Sequence, residues 1–284
     1  MSYTKTQNPT LESRKRNQDS IVAQLSVENT RLYTSFHGPD DYAKFILSHE
    51  EGADTCNELI WTDCCTFLDI DCPLQLSELG FSDVPDFVNQ FNQFLIENFS
   101  VLLGVTITEH QILWANSTRP EKTSFHVIVK SPIFFWKAEQ INAQLKTFVQ
   151  ILADKTLDIP GFHYLTEKND EIQTTSLLDT SIYHLHRCLR SLLCRKPEND
   201  VLLKPMRHGV VLPGTHSLIV QYLVTETEQD THKKPYKLLV QRKPVVKPRI
   251  QRSLLDRLAA KYGSKVHDIK GSLIQLRNVD KCRY

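Results

Sequence analysis

The feature that most constrains the fold of this chain is an apolar, β-branched and aromatic run over residues 59–71, which closes on two carboxylates, Asp69 and Asp71. This composition predicts a buried strand or hairpin. Because residues i and i+2 share one face of a strand, the two carboxylates are expected to project together. They repel each other unless a cation neutralises them, and Mg²⁺ or Mn²⁺ takes oxygen ligands of this kind. The run therefore predicts a divalent-metal site, with a solvated acidic turn as the alternative.

Residues 124–129 form a second strand-like segment, and Ser124 and His126 fall on one of its faces. A serine near a histidine is one mark of a hydrolase, but the chain has no G-x-S-x-G nucleophile elbow. Together with Lys122, which precedes them, the pair is better suited to holding a phosphate group. A buried histidine bonded to a backbone carbonyl is the alternative without a functional role.

A third pattern begins with Asp179 at the end of an apolar segment and continues into a segment that carries cations. Arginine binds phosphate through paired hydrogen bonds, and lysine acts as a point charge. Cations on an apolar strand are costly to bury without an anionic partner, which a triphosphate or a nucleic-acid backbone would provide. A metal-binding pair of the nicking-endonuclease kind, His184 and His186, is an alternative that the adjacent position of Tyr183 disfavours. The cations of the segment are Arg187, Arg190, Arg195 and Lys196.

The net charge of +1 conceals an asymmetry, because residues 231–284 carry 15 Lys and Arg but only 3 Asp and Glu. This basic segment suits a polyanion, with a solvated basic tail as the alternative.

The chain has neither G-x-x-x-x-G-K-[S/T] nor G-x-G-x-x-G, which argues against a P-loop ATPase and a dinucleotide-binding domain. No apolar run reaches about 18 residues and no secretory signal is found, so we expect no membrane span. The 7 cysteines, an odd count without C-x-x-C, indicate reduced thiols in an intracellular compartment.

Helical periodicity predicts helices over residues 39–51, 84–103, 137–155 and 253–262. Strand-like segments are predicted at residues 111–115, 124–129, 176–183, 188–193, 217–224 and 236–240. Mixed elements without strict alternation favour an α+β fold with at least one antiparallel sheet. We expect three parts: a polar N-terminal arm over residues 1–30, a core over 31–243, and a basic C-terminal linker and helix over 244–284.

In this order, the D-x-D, the S-x-H, and the D-x-x-x-Y followed by R-x-x-R and a lysine resemble the archaeo-eukaryotic primase superfamily. The resemblance is greatest to its PrimPol-like branch, which includes the primase domains of large-DNA-virus primase–helicases. It covers a minority of the chain, residues 67–73, 117–129 and 178–196. For the fold it implies a primase catalytic core made of two mixed α/β modules, one of them RRM-like with an antiparallel sheet. The active site is expected in the cleft between the modules.

For the site, the resemblance implies that three carboxylates bind two Mg²⁺ or Mn²⁺ ions and are catalytic: Asp69, Asp71 and Asp179. It implies that six further residues bind the nucleotide: Lys122, Ser124, His126, Arg187, Arg190 and Lys196. Of these, Ser124 and His126 would contact the triphosphate, and Lys196 would approach the γ-phosphate. The chain departs from the family pattern at His184 and His186, where an Asn- and Arg-rich stretch is usual.

For the activity, the resemblance implies a DNA-templated nucleotidyltransferase that makes or extends primers during DNA replication, viral replication included. Its partners would be a single-stranded DNA template with its primer, nucleoside triphosphates, and a helicase in the same or another polypeptide. We expect it in the nucleus or at a viral replication site, with the basic residues of 233–257 on template phosphates. Zinc is expected only if the chain continues past Cys282, and without a zinc module we expect primer extension without initiation.

Two other classes of function stay open. The D-x-D pair also occurs in manganese-dependent glycosyltransferases that use nucleotide sugars, but these predict neither the S-x-H nor the arginine pair. The non-enzymatic alternative is a nucleic-acid-binding replication accessory protein, in which the acidic cluster is only a solvated patch. Metal-dependent incorporation of a nucleotide on a primed template separates all three classes.

Overall fold

Helices and strands alternate irregularly along the chain in the computed structural model, which describes residues 5, 21–225, 233–242, 249–261, 265–270 and 273–277. The helices are α1 (Pro39–Leu47), α2 (Val84–Leu103), α3 (Ala138–Gln140, a π-helical turn Ile141–Leu145, then Lys146–Thr156), α4 (His216–Gln221) and α5 (Arg252–Lys261). The strands are β1 (Ile21–Val27), β2 (Thr30–Phe36), β3 (Asn57–Ile60), β4 (Thr66–Cys72), β5 (Ile112–Asn116), β6 (Thr123–Val129), β7 (Phe134–Phe135), β8 (His163–Lys168), β9 (Glu171–Ser176), β10 (Arg187–Arg190), β11 (Lys204–Arg207), β12 (Val210–Val211), β13 (Lys234–Pro235), β14 (Arg249–Gln251), β15 (Lys265–Lys270) and β16 (Leu273–Arg277). The fold is of the α+β class with antiparallel sheets, which confirms that part of the prediction.

The first sheet has five antiparallel strands in the order β12-β11-β5-β6-β4. Residues 177–179 extend it beyond β4, because the Asp71 amide donates to the Leu177 carbonyl and the Asp179 amide donates to the Asp69 carbonyl. Apart from β7, β8 and β9, which belong to other sheets, the chain from β4 to residue 179 runs strand, helix, strand, strand, helix and a final strand-like segment. Helix α2 packs on the sheet, with Phe87 stacked on Phe125 of β6.

The second sheet is antiparallel, in the order β10-β3-β1-β2, and faces the first sheet on the side away from α2. A small cavity lies between the sheets, lined by Glu58 and Leu189 of the second sheet and by Ala115, His126 and Ile128 of the first. Helices α1 and α4 contribute to the same cavity wall. The two sheets therefore face each other across this small cavity.

Local sequence signals fix α2, which spans the predicted residues 84–103. Asp83 caps its N-terminus by accepting a hydrogen bond from the Asp86 amide, and Pro85 lies in the first turn. The helix ends at Gly104, whose φ of 65° is in the left-handed region that favours glycine. The helical predictions for α1 and α3 are also confirmed, although α1 ends at Leu47 rather than at residue 51.

Several strand predictions are wrong. Residues 217–224, rich in apolar and β-branched side chains, contain the short helix α4, which is capped by the Thr215 hydroxyl and buries Ile219. Residues 236–240 form no strand. The two-residue strand β13, which immediately precedes them, pairs with β7. The run 59–71 is two strands in different sheets, because the chain turns between β3 and β4.

Two predicted boundaries also change. The arm predicted over residues 1–30 contains β1, a central strand of the second sheet whose alternate residues are buried in the core. The C-terminal segment predicted from residue 244 is joined to the core, because β14 pairs with β9 and the Arg252 amide donates to the Asp170 carbonyl.

Cys282 lies outside the described residues. The cysteines of the described residues carry free thiols, and none of the described helices has the length and apolar character needed to cross a membrane.

Glu58 links the two sheets. It lies in β3 with 3% of its surface exposed, and its carboxylate accepts hydrogen bonds from the amides of Val224 and Thr225 at 2.9 and 2.6 Å. The Val224 carbonyl in turn accepts from the Cys65 amide, immediately before β4. Burial raises the pKa of Glu58, and the two amide hydrogen bonds oppose that rise.

Replacing Glu58 by Leu is expected to lower the free energy of unfolding by about 2–4 kcal/mol, because two buried amides lose their acceptor. Glu58→Gln keeps one acceptor oxygen and is expected to cost less. The control is Glu50→Ala at an exposed carboxylate, expected to change the free energy by less than about 0.5 kcal/mol. Urea unfolding followed by circular dichroism measures all three variants, and a Glu58→Leu protein as stable as the wild type would contradict the link.

Candidate active site

The pairing of β4 with β6 brings two of the sequence patterns together. Asp69 lies opposite His126, and Asp71 lies opposite Ser124, so the D-x-D and the S-x-H share one face of the sheet. The Asp69 carboxylate Oδ1 is 3.7 Å from His126 Nε2, and Asp71 Oδ1 is 2.6 Å from Lys122 Nζ. All five of these predicted site residues are therefore neighbours.

The third carboxylate, Asp179, reaches the same place from the other side of β4. Its amide donates to the Asp69 carbonyl at 2.9 Å, which makes the two residues cross-strand neighbours. Its Oδ1 accepts from the Ser181 amide at 2.7 Å and so orders the turn that follows. Tyr183 anchors this turn, because its buried ring stacks on Phe67 and its hydroxyl donates to the Phe67 carbonyl.

The electrostatics of Asp69 reflect this convergence. Its side chain is 20% exposed, and burial together with the charges of Asp71 and Asp179 raises its pKa to about 7. Lys196 and Arg190 act in the opposite direction but do not cancel the rise. A carboxyl group in this position holds its proton up to neutral pH unless a cation replaces that proton.

His126 is neutral in this setting. It is 7% exposed, and burial lowers its pKa to about 3, with the positive charges of Arg190 and Lys196 acting in the same direction. The distance of 3.7 Å to Asp69 is too long for a hydrogen bond. His126 is thus available as a neutral hydrogen-bonding group rather than as a cation.

A polar pocket lies beside the carboxylates, and its lining includes four predicted nucleotide-binding residues: Lys122, Ser124, Arg190 and Lys196. Arg190 reaches it from the second sheet, where its guanidinium donates from Nη2 to the Ser117 hydroxyl at 2.6 Å and from Nη1 to the Val201 carbonyl at 3.3 Å. Burial lowers the pKa of Arg190, and Asp69 opposes that effect. The pocket is therefore a concentrated cationic site next to a concentrated anionic one.

Three polar residues of the pocket were not predicted as individual site residues: Ser117, Arg119 and Asn199. They lie in loops between strands, where no periodicity marks a residue as inward-facing. Ser117 bonds to Ser124 as well as to Arg190, so it connects two predicted site residues. Its position seven residues before Ser124, in a short strand-to-strand connection, was the one available signal.

Arg187 and the two histidines are not brought to the pocket. Arg187 is exposed at the start of β10, and its positive charge acts on the neighbouring Cys188 thiol. It stands three residues from Arg190, which places the two side chains on opposite faces of a strand. His184 and His186 are also exposed.

The donor set of the three carboxylates fits Mg²⁺ or Mn²⁺, which prefer oxygen ligands. Asp71 Oδ1 is buried, and its partner is the Lys122 ammonium at 2.6 Å, an ion pair without hydrogen-bond geometry. Among the described residues, however, no three acidic, histidine or cysteine side chains stand ready to enclose an ion. A cation would have to draw the carboxyl groups inward and displace the Lys122 ammonium.

Neither a family model nor a curated protein matches this chain.

Asp69→Asn is expected to change the pH dependence of stability. The pKa of Asp69 rises from 3.8 to about 7 on folding, so between these values the folded state holds a proton that the unfolded state has released. The contribution of Asp69 to stability therefore falls as the pH rises through this window and is constant above it. The Asn variant should be more stable than the wild type at pH 8, by an amount of the order of a few kcal/mol, and the difference should close towards pH 4.

Thermal unfolding of both proteins between pH 4 and pH 8 measures this difference. Glu97→Gln, at an exposed carboxylate on α2, is the matched control and should show no such trend. A stability difference for Asp69→Asn that does not vary with pH would contradict the electrostatic account of the cluster.

Proposed function

We propose that this protein is a DNA-templated nucleotidyltransferase of the primase-polymerase type, which makes or extends primers from nucleoside triphosphates. The observation that carries the proposal is the register at β4. It sets Asp69 against His126 and Asp71 against Ser124, and the pairing of residues 177–179 adds Asp179. Three patterns that span more than 100 residues of sequence converge there, and each has a type of side chain that the chemistry requires.

The topology supports this assignment. When β7, β8 and β9 are set aside, the order of elements from β4 to residue 179 and the sheet order 177–179, β4, β6, β5 resemble those of an RRM-like or ferredoxin-like unit. The primase resemblance implies one such module. The second sheet contributes Arg190 to the pocket, which supports an active site formed between two modules.

The chemistry divides the site into two halves. Lys122, Arg190 and Lys196 would neutralise the triphosphate, and Ser124 and neutral His126 would hydrogen-bond to its oxygens. Asp69, Asp71 and Asp179 would hold Mg²⁺ or Mn²⁺, which when bound favours ionisation of the attacking hydroxyl and neutralises charge on the phosphates. The protein's own contribution would be to hold the α-phosphate between the cationic half of the site and the carboxylate half.

The basic segment 233–257 is a weaker support for template binding. Arg242 forms an ion pair with Asp154 at 2.8 Å, and Arg252 forms one with Glu167 at 2.9 Å. These two arginines of the segment are therefore paired with carboxylates of the protein itself. Any contact with template phosphates would therefore have to come from its other cations.

The test is metal-dependent incorporation of a labelled nucleotide onto a primed DNA template. Asp69→Asn, Asp71→Asn and Asp179→Asn are each expected to reduce incorporation by about 100-fold or more, because each removes charge at the reacting phosphate. DNA binding should be nearly unchanged, and Glu97→Gln is the control that should retain activity. DNA binding without incorporation by the wild type would favour the accessory protein, and sugar transfer from a nucleotide sugar would favour the glycosyltransferase.

The two arginines of β10 allow a paired prediction. Arg190→Ala should raise the KM for the nucleoside triphosphate by about 10- to 100-fold, because a charge-assisted contact in the pocket is lost. Arg187→Ala should change this KM by less than about threefold, because Arg187 is exposed outside the pocket. Steady-state extension kinetics at saturating primed template give both values, and equal effects of the two substitutions would contradict the assignment of the pocket.

A further inference from the structure

Four side chains on one face of the β8–β9 hairpin form no hydrogen bond with any described residue outside the hairpin. Alternation along the paired strands puts Tyr164, Thr166, Gln173 and Thr175 on this face, and all four are half-buried. The opposite face packs towards α3, where the hydroxyl of Ser176 bonds to that of Thr156 at 2.8 Å. We call the first face the open face of the hairpin.

The open face adjoins the carboxylates through the backbone. The Leu177 amide donates to the Phe162 carbonyl, which continues the β8–β9 ladder, and the Leu177 carbonyl accepts from the Asp71 amide. Two residues further on, Asp179 pairs with Asp69. The hairpin, residues 177–179 and β4 are therefore joined edge to edge, with the hairpin next to the catalytic carboxylates.

Tyr164 occupies the position of the open face nearest to this junction. Its ring packs against the main core, and burial, together with the charges of Cys72, Asp71 and Asp179, raises the pKa of its phenol to about 12. Within the described ranges no residue forms a hydrogen bond with its hydroxyl. Tyr164 thus lies near the carboxylates, and its hydroxyl has no hydrogen bond with the other described residues.

Tyr164 and the cationic pocket lie on opposite sides of the carboxylates. The pocket residues Lys122 and Ser124 belong to the β6 side of β4, whereas Tyr164 belongs to the side of residues 177–179. In phosphoryl transfer the attacking and leaving oxygens lie roughly in line, on opposite sides of the phosphorus. If pyrophosphate leaves towards the cations, the attacking hydroxyl must approach from the side of Tyr164.

We propose that Tyr164 and the open face bind the 3′-terminal nucleotide of the primer, which rests on the proposed nucleotidyltransferase function. The primer 3′-oxygen forms a bond to the α-phosphorus as the bond from that phosphorus to the α,β-bridging oxygen breaks. Pyrophosphate leaves with the electron pair, and the hydroxyl proton is released to solvent. The ring of Tyr164 packs against the terminal nucleotide, a contact that tolerates any sequence. Thr166, Gln173 and Thr175, on the same face of the hairpin, offer neutral hydrogen-bonding groups to the rest of the primer.

The experiment compares Tyr164→Ala and Tyr164→Phe with the wild type, using a primed template and the same single-stranded template without its primer. Tyr164→Ala should weaken binding of the primed template by about tenfold, measured by fluorescence anisotropy with a dideoxy-terminated primer. Binding of the unprimed strand and the KM for the nucleoside triphosphate should stay within about twofold. Tyr164→Phe should bind primed template like the wild type, because it retains the ring. Leu165→Ala, on the opposite face of the same hairpin, is the matched control.

Equal loss of primed and unprimed binding, or unchanged primed binding by Tyr164→Ala, would overturn the assignment of the primer terminus. A raised KM for the triphosphate with unchanged primer affinity would also overturn it, since Tyr164 would then belong to the nucleotide side. A wild-type protein that binds primed DNA but incorporates no nucleotide would instead contradict the proposed function. The two failures are therefore distinguishable.

Discussion

The antiparallel pairing of β4 on both of its edges is the constraint on which the candidate site depends. The pairing with β6 sets the D-x-D opposite the S-x-H, and the pairing with residues 177–179 adds the third carboxylate. A shift of either register by one residue would turn the affected side chains to the opposite face, towards α2. The core packing of Phe125 against Phe87 on that face opposes such a shift, so the apolar side of the sheet holds the register of the polar side.

This arrangement has a cost that the surroundings offset only in part. Burial and two neighbouring carboxylates raise the pKa of Asp69 to about 7, although Lys196 and Arg190 are near enough to oppose the rise. Lys122 is paired with Asp71, and Arg190 is partly buried against Ser117. Groups held in unfavourable electrostatic surroundings are common at functional sites, where a ligand provides the missing charge. The carboxylate cluster and the cationic pocket together fit a ligand that carries both a cation and phosphates.

Periodicity was enough to predict α2, α3, β6 and the shared face of Asp69 and Asp71, because each depends on neighbours within a few residues. The partner of each strand was beyond the sequence, since β3 and β4 lie in one apolar run yet belong to different sheets. Residues 217–224 were mistaken for a strand because a short helix buried on one side has the same apolar, β-branched composition. The separation of Arg187 from Arg190 was available in advance, because residues three apart on a strand point to opposite faces. Ser117 and Glu58 were missed because their importance lies in contacts with residues far away in the sequence.

Two buried polar atoms at this site lack hydrogen-bond partners within the described ranges: Nε of Arg190 and Oδ1 of Asp71. Such atoms are uncommon in folded proteins, and each calls for a physical explanation. One is a donor that lines the cationic pocket, and the other is an acceptor in the carboxylate cluster. A water molecule or a neutral ligand could satisfy either atom separately. A nucleoside triphosphate with its divalent cation would satisfy both together, because its phosphate oxygens accept from the guanidinium while its cation binds the carboxylate. Because the Lys122 ammonium lies 2.6 Å from Asp71 Oδ1, the cation of such a ligand would replace that ion pair while its phosphates accept from Arg190 Nε.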